Sequence, residues 1–120
     1  MPLTMTRLEL APSQDFPKGS TSHGYEIVAP INKDGRIDAS TWNGLQDKCR
    51  TVRFWGEAPK EEGLLRHAGT AWRFDKTDNA TSKPFFDLHK LTLLPGAYVS
   101  IAGDDGIQRT FRVLMMIPWG

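Results

Sequence analysis

The chain is 120 residues long, 39% hydrophobic and 10% aromatic, enough to bury one core and too rich in large apolar side chains for a wholly disordered segment. Fifteen Lys and Arg stand against fourteen Asp and Glu, a formal net charge of +1. No global field therefore draws the chain to phosphate backbones, and a local patch would have to do so.

A lone cysteine, Cys49, excludes an internal disulfide and fits a reducing cytoplasm. No run approaches the roughly 18 apolar residues of a helical membrane span. The first ten residues, MPLTMTRLEL, lack the basic-then-apolar secretory pattern. A cytoplasmic protein is expected, with one domain over residues 1–120 and no membrane contact.

In chain order, residues 3–10 read as a first strand, although Thr and Leu alternate only loosely. Residues 11–22 hold Pro, Gly, Ser and Thr and are expected to be a loop or a mobile lead-in. Residues 24–31 read as a strand, closed by Asn32-Lys33-Asp34-Gly35, where Gly35 can take a positive φ. Asp38 or Ser40 can cap a helix over residues 40–48. Trp42, Leu45 and Cys49, spaced three and four apart, would share its apolar face. Gly44 weakens that helix by about 1 kcal/mol relative to Ala, so it needs a sheet to lie on and would plug a barrel end.

Further strands are predicted over residues 51–55, 64–67, 70–75, 85–94, 98–102 and 107–117. Residues 56–63 carry Pro59 and the run Lys60-Glu61-Glu62 and read as an exposed loop. Residues 76–83 are polar and read as a long turn. Pro95-Gly96 fits the middle of a type II turn, and Gly103-Asp104-Asp105-Gly106 fits a hairpin loop between the last two strands.

Three strands carry the same pattern: Val52 and Phe54 flank Arg53, Trp72 and Phe74 flank Arg73, and Phe111 and Val113 flank Arg112. Period two would put each apolar pair in the core and each arginine on a wet face. The predicted fold class is mainly β, a small antiparallel barrel or strongly curved sheet of six to seven strands with one short helix.

The segments GYEIVAPINKDGRIDASTW, CRTVRFW, TAWRF and LLPGAYVSI, followed by DDG and FRV, resemble a family of small uncharacterised proteobacterial proteins. The resemblance spans residues 25–113. It implies a bacterial protein and no activity, because its motifs are turns and strand entries.

Among candidate sites, Arg53, Arg73 and Arg112 are expected to share one polar sheet face suited to carboxylate, phosphate or stacked bases. Arg50, Arg66 and Arg109 would extend it. The competing reading is a solvated face paired with Glu26, Asp75 or Asp87. Trp55 and Trp119 flank Gly and Pro and are expected at an interface, with Trp55 as an alternative end cap. His23, His67, His89 and Cys49 lack CxxC, HxxxH or HExxH spacing, so no metal is expected. His23 is placed in a loop, and His67 and His89 on strand surfaces or in hydrogen bonds of the fold. No phosphate-binding motif occurs, and no cofactor is expected.

Cys49 is expected to be buried and inert. The function these features favour is a non-enzymatic binding or protein-interaction domain, with a protein partner or self-association. One alternative is single-stranded nucleic-acid or anion binding through the arginine face, with nucleic acid disfavoured by the small net charge. The other is an enzyme pairing Cys49 with a histidine.

Overall fold

Alternating apolar positions draw the chain into strands that pair with their sequence neighbours. The structure, a computed structural model, describes residues 3–68, 71–76, 85–87, 92–103 and 107–119. Eight strands lie among them: β1 (Leu3–Leu10), β2 (Ser20–Ala29), β3 (Arg50–Trp55), β4 (Glu61–Ala68), β5 (Ala71–Lys76), β6 (Phe85–Asp87), β7 (Tyr98–Ala102) and β8 (Gln108–Trp119). Each is antiparallel to the next, and β8 returns to β1, closing the sheet into an up-and-down barrel. The ring is uneven. The β1–β8 seam is long, whereas among the described residues β6 and β7 share one paired position, Phe85 opposite Ala102. The expected mainly β barrel with one short helix is present.

The interior is filled by alternate residues from around the ring, among them Leu8, Ile27, Leu65, Trp72, Phe74, Ile101 and Phe111, all nearly or fully buried. Trp72 and Phe74, and Phe111 and Val113, point inward as their pattern requires. The alternation of β1 is loose because its ladder shifts register twice, between Arg7 and Leu8 against β8 and between Glu9 and Leu10 against β2.

Strand β3 departs from expectation by one full face. Thr51 pairs with Ile27 and Arg53 with Tyr25, and both partners belong to the core. Thr51, Arg53 and Trp55 therefore face inward, and Val52 and Phe54 face outward. Phe54 is well covered all the same. It lies over Gly24, where a Cβ would come within 2.9 Å of the Phe54 Cζ and collide with the Leu8 carbonyl oxygen. The Arg7 guanidinium caps the ring from outside, 4.3 Å from its centroid. A missing side chain on β2 makes the hollow that Phe54 fills.

The expected helix over residues 40–48 is two shorter pieces. Helix α1 covers Ala39–Asn43, and a 3-10 turn covers Gln46–Lys48. Asp38 caps α1, its Oδ1 accepting from the Thr41 N–H at 3.0 Å and the Ser40 hydroxyl at 2.8 Å. Gly44 ends it, its N–H turning back to the Thr41 and Trp42 carbonyls. Trp42 is buried and its Nε1–H donates to the Leu65 carbonyl at 3.0 Å, so α1 still plugs one barrel end. Nearby, Gly35 closes the predicted turn at φ +82. At Leu94–Ala97, the Ala97 N–H bonds the Leu94 carbonyl at 2.9 Å with Gly96 at φ +85, the predicted type II turn. No described helix is long and apolar enough to cross a membrane.

Candidate ligand site at the barrel mouth

The end opposite α1 is rimmed by the β1–β2 loop, the β3–β4 turn and the start of β8. Strand β2 begins at Ser20, earlier than expected, which places His23 in a strand and not a loop. By parity with Tyr25 and Ile27, His23 faces into the barrel, opposite Trp55 in the β2–β3 register. Arg109, opposite the buried Ile101, also faces inward. Inward-facing polar groups survive here because the strands end, and long side chains reach solvent through the mouth.

These residues converge on Trp55. The Arg53 guanidinium carbon lies 4.3 Å from the Trp55 ring centroid and that of Arg109 lies 5.3 Å away. The His23 ring meets Trp55 edge-on at 4.6 Å and 89°. Phe16, from the β1–β2 loop, packs on the other side of His23 at 4.7 Å. Phe111 closes the inner side of Trp55 at 6.4 Å. Cation–π attraction holds both guanidinium groups by one indole and offsets part of their mutual repulsion.

A serine hydroxyl anchors the His23 ring through Nδ1. The Ser22 N–H donates to the Ser20 Oγ at 3.1 Å, and that hydroxyl lies 2.6 Å from His23 Nδ1. Burial, reinforced by the positive charge of Arg53, holds the His23 pKa below its ordinary value. A neutral imidazole adds no third charge to the two guanidinium groups.

Glu61 of β4 is the nearby carboxylate, with its Oε2 3.9 Å from Arg53 Nη1, too long for a strong charge-assisted bond. The Arg53 Nε is buried without a hydrogen-bond partner. Beside the cluster, a cleft of about 380 Å³ runs between residues 12–16 and the first residues of β8, and its walls include Phe16 and Arg109.

The other predicted site residues lie elsewhere. Arg73 is opposite Arg66 in the β4–β5 register, on the outer face. Arg112 is exposed, opposite Tyr98 and Glu9. Of the three strand arginines only Arg53 turns inward, so they form no common face. Arg7, not one of these three, takes Glu26, at 2.8 Å. Trp55 joins Arg53 in the mouth. Trp119, 49% exposed, lies on the outside of the barrel.

Cys49 is fully buried, and desolvation, helped by Asp47, pushes its thiol up to about 11, which keeps it protonated at neutral pH. It follows the 3-10 turn and does not extend a helix face. His67 faces the interior near α1, stacked on Trp72 at 4.3 Å with its Nε2 buried and unbonded, and not on a surface. His89 lies outside the described residues. Among the described residues no three His, Cys, Asp or Glu side chains gather as a metal site would need.

Sequence reasoning missed His23, Ser20 and Phe16. The available signal was parity, since His23 stands two residues before Tyr25 and four before Ile27 on an apolar stripe. No family model matches the chain, and no curated protein or solved structure matches it either.

Proposed function

We propose that this barrel is a non-enzymatic binding domain whose mouth takes a small planar molecule bearing a carboxylate or phosphate. The observation that carries the reading is the convergence of Arg53 and Arg109 on the inward-facing Trp55. The two guanidinium groups outnumber the one nearby carboxylate, Glu61, 3.9 Å from Arg53, and this local excess of positive charge suits an anion. The unbonded Arg53 Nε adds a donor without a partner. Phe16, His23 and Trp55 supply ring surfaces for a flat ligand body. Mouths of small barrels are a usual place for such ligands. A single-stranded oligonucleotide is less well supported, because Arg73 and Arg112 point away from Arg53.

The test uses benzoate and phenyl phosphate as probes, with benzyl alcohol as the neutral control. Heteronuclear NMR follows the Trp55 indole N–H. The anions are expected to shift that resonance saturably, the alcohol is not, and Arg53→Gln or Arg109→Gln is expected to weaken binding about tenfold, the worth of one charge-assisted contact. Equal binding of the alcohol, or no shift with either anion, overturns the proposal.

A further inference from the structure

Strand β8 changes character midway. Residues 109–113 alternate between inward and outward positions, as a strand with one wet face should. From Leu114 to Trp119 the sequence reads LMMIPW, with no charged side chain and no alternation. An uninterrupted apolar run is the pattern of a strand covered on both faces. Yet Leu114 is 48% exposed, Met115 43%, Ile117 38% and Trp119 49%.

The change of pattern coincides with a change of pairing. Strand β7 accompanies β8 only as far as Tyr98 opposite Arg112, with Ala97 and Gly96 holding Val113. Strand β1 continues alongside β8 to Leu3 opposite Trp119. Residues 114–119 thus have one paired edge and, among the described strands, one open edge. Open apolar edges invite another strand.

We infer that this edge pairs with the same edge of a second copy of the chain, forming a two-fold symmetric dimer. An antiparallel edge is complementary to itself under a two-fold axis, as a closed two-fold interface requires. No charge along the edge opposes it, since residues 114–119 carry none. On the β1 side, away from the open edge, Trp119 overhangs an outer hollow of about 250 Å³ lined by Met5, Val28 and Val52.

The area sets the strength. With roughly 200 Å² for a large apolar residue, the four exposed side chains offer on the order of 350 Å² per copy, or about 700 Å² hidden in a pair, below the ~1,200 Å² where standard interfaces begin. Pro118 adds to this only in part. The dimer is therefore weak and forms with rising concentration.

Sedimentation velocity from micromolar to several hundred micromolar protein tests the inference. The wild type is expected to shift from monomer to dimer, while Ile117→Lys and Leu114→Glu stay monomeric with the wild-type circular dichroism spectrum. Hydrogen exchange at the two concentration extremes is expected to slow at amides between residues 114 and 119. A wild type that stays monomeric throughout overturns the dimer. So does a dimer that both substitutions leave intact, or one whose formation leaves those amides unprotected.

Discussion

Among the described residues, Thr6 and Thr51 are the two buried polar residues of the barrel wall, with 0% and 1% of their surface exposed. They stand on either side of Ile27, in register with it on β1 and β3. Neither hydroxyl oxygen has a hydrogen-bond partner. A buried unpartnered hydroxyl costs about 1–3 kcal/mol, and valine keeps the β-branch while removing that group. Thr6→Val and Thr51→Val should each stabilise the fold by about 1–2 kcal/mol.

Two strand spacings separate the sites by about 10 Å, so the double substitution should add to within ~0.5 kcal/mol. Urea denaturation reads the gain as a higher midpoint at constant slope. Thr6→Ser and Thr51→Ser serve as controls: they keep the hydroxyl and lose a methyl, costing about 1 kcal/mol each. A loss of stability in either valine variant would refute the reasoning, because it would mean the hydroxyl is bonded in solution. Strong non-additivity would mean one shared internal partner.

Gly24→Ala should destabilise by at least ~2 kcal/mol, since the new methyl meets the Leu8 carbonyl as well as Phe54; an unchanged urea midpoint would remove Phe54 from its place over Gly24. His23 titrates below its ordinary value of 6.5 in the fold, so the unfolded chain takes up this proton first as pH falls. Its contribution is therefore intact above 6.5 and is lost as pH drops from there through the folded-state pKa. Urea midpoints taken from about pH 8 to pH 5 should show that slope in the wild type and a flatter one in His23→Gln, and identical slopes would count against a buried, neutral ring. Cys49 should react with a thiol reagent far more slowly in native than in denatured protein, and equal rates would contradict its burial.

The fold was legible where alternation and turn chemistry agreed. Trp72 and Phe74 on β5, Phe111 and Val113 on β8, and the turns at Gly35 and Gly96 needed no tertiary information. Helix α1 was legible from its cap and not from its length. Trp42 and Leu45 have helical spacing, but Gly44 stops the helix between them. Strand β3 was legible in period and wrong in phase. Alternation has two solutions, and hydrophobicity alone favours the one that buries Val52 and Phe54 over the one that buries Arg53.

Two other residues carried the correct phase. Cys49 is extended at φ −91 and ψ 110 and leads straight into β3, so its expected burial implies that Thr51, Arg53 and Trp55 face the same way. Gly24, inside an otherwise regular strand, marks a close approach that a large side chain must cover. Both signals bear on register, and register is set by the partner strand. For the same reason the site itself was hidden. Arg53 and Trp55 were both singled out, one as a surface charge and the other as an interface residue, and only the β2–β3 pairing joins them to each other and to His23.

The two ends of the barrel explain why a ligand site belongs at one of them. At the α1 end, the Trp42 ring meets Trp72 edge-on at 5.3 Å and bonds the Leu65 carbonyl. The Leu93 side chain is fully buried, and its N–H bonds the Gly35 carbonyl at 2.6 Å. An arginine facing inward there would lie in an apolar plug, with desolvation uncompensated. At the other end Arg53 is two residues from the end of β3, and Arg109 is the second residue of β8. Both can turn inward because their guanidinium groups are already near the exit, where Trp55 receives them. The asymmetry arises from sequence: an apolar plug carried by the β2–β3 connection, and inward charge at Arg53, Glu61 and Arg109 close to the mouth ends of their strands. Exchanging Arg53 for Met should therefore leave the barrel folded, with its urea midpoint within about 1 kcal/mol of wild type. The same exchange should abolish the response of the Trp55 resonance to benzoate. A collapse of stability instead would make Arg53 a structural element of the wall rather than a ligand contact.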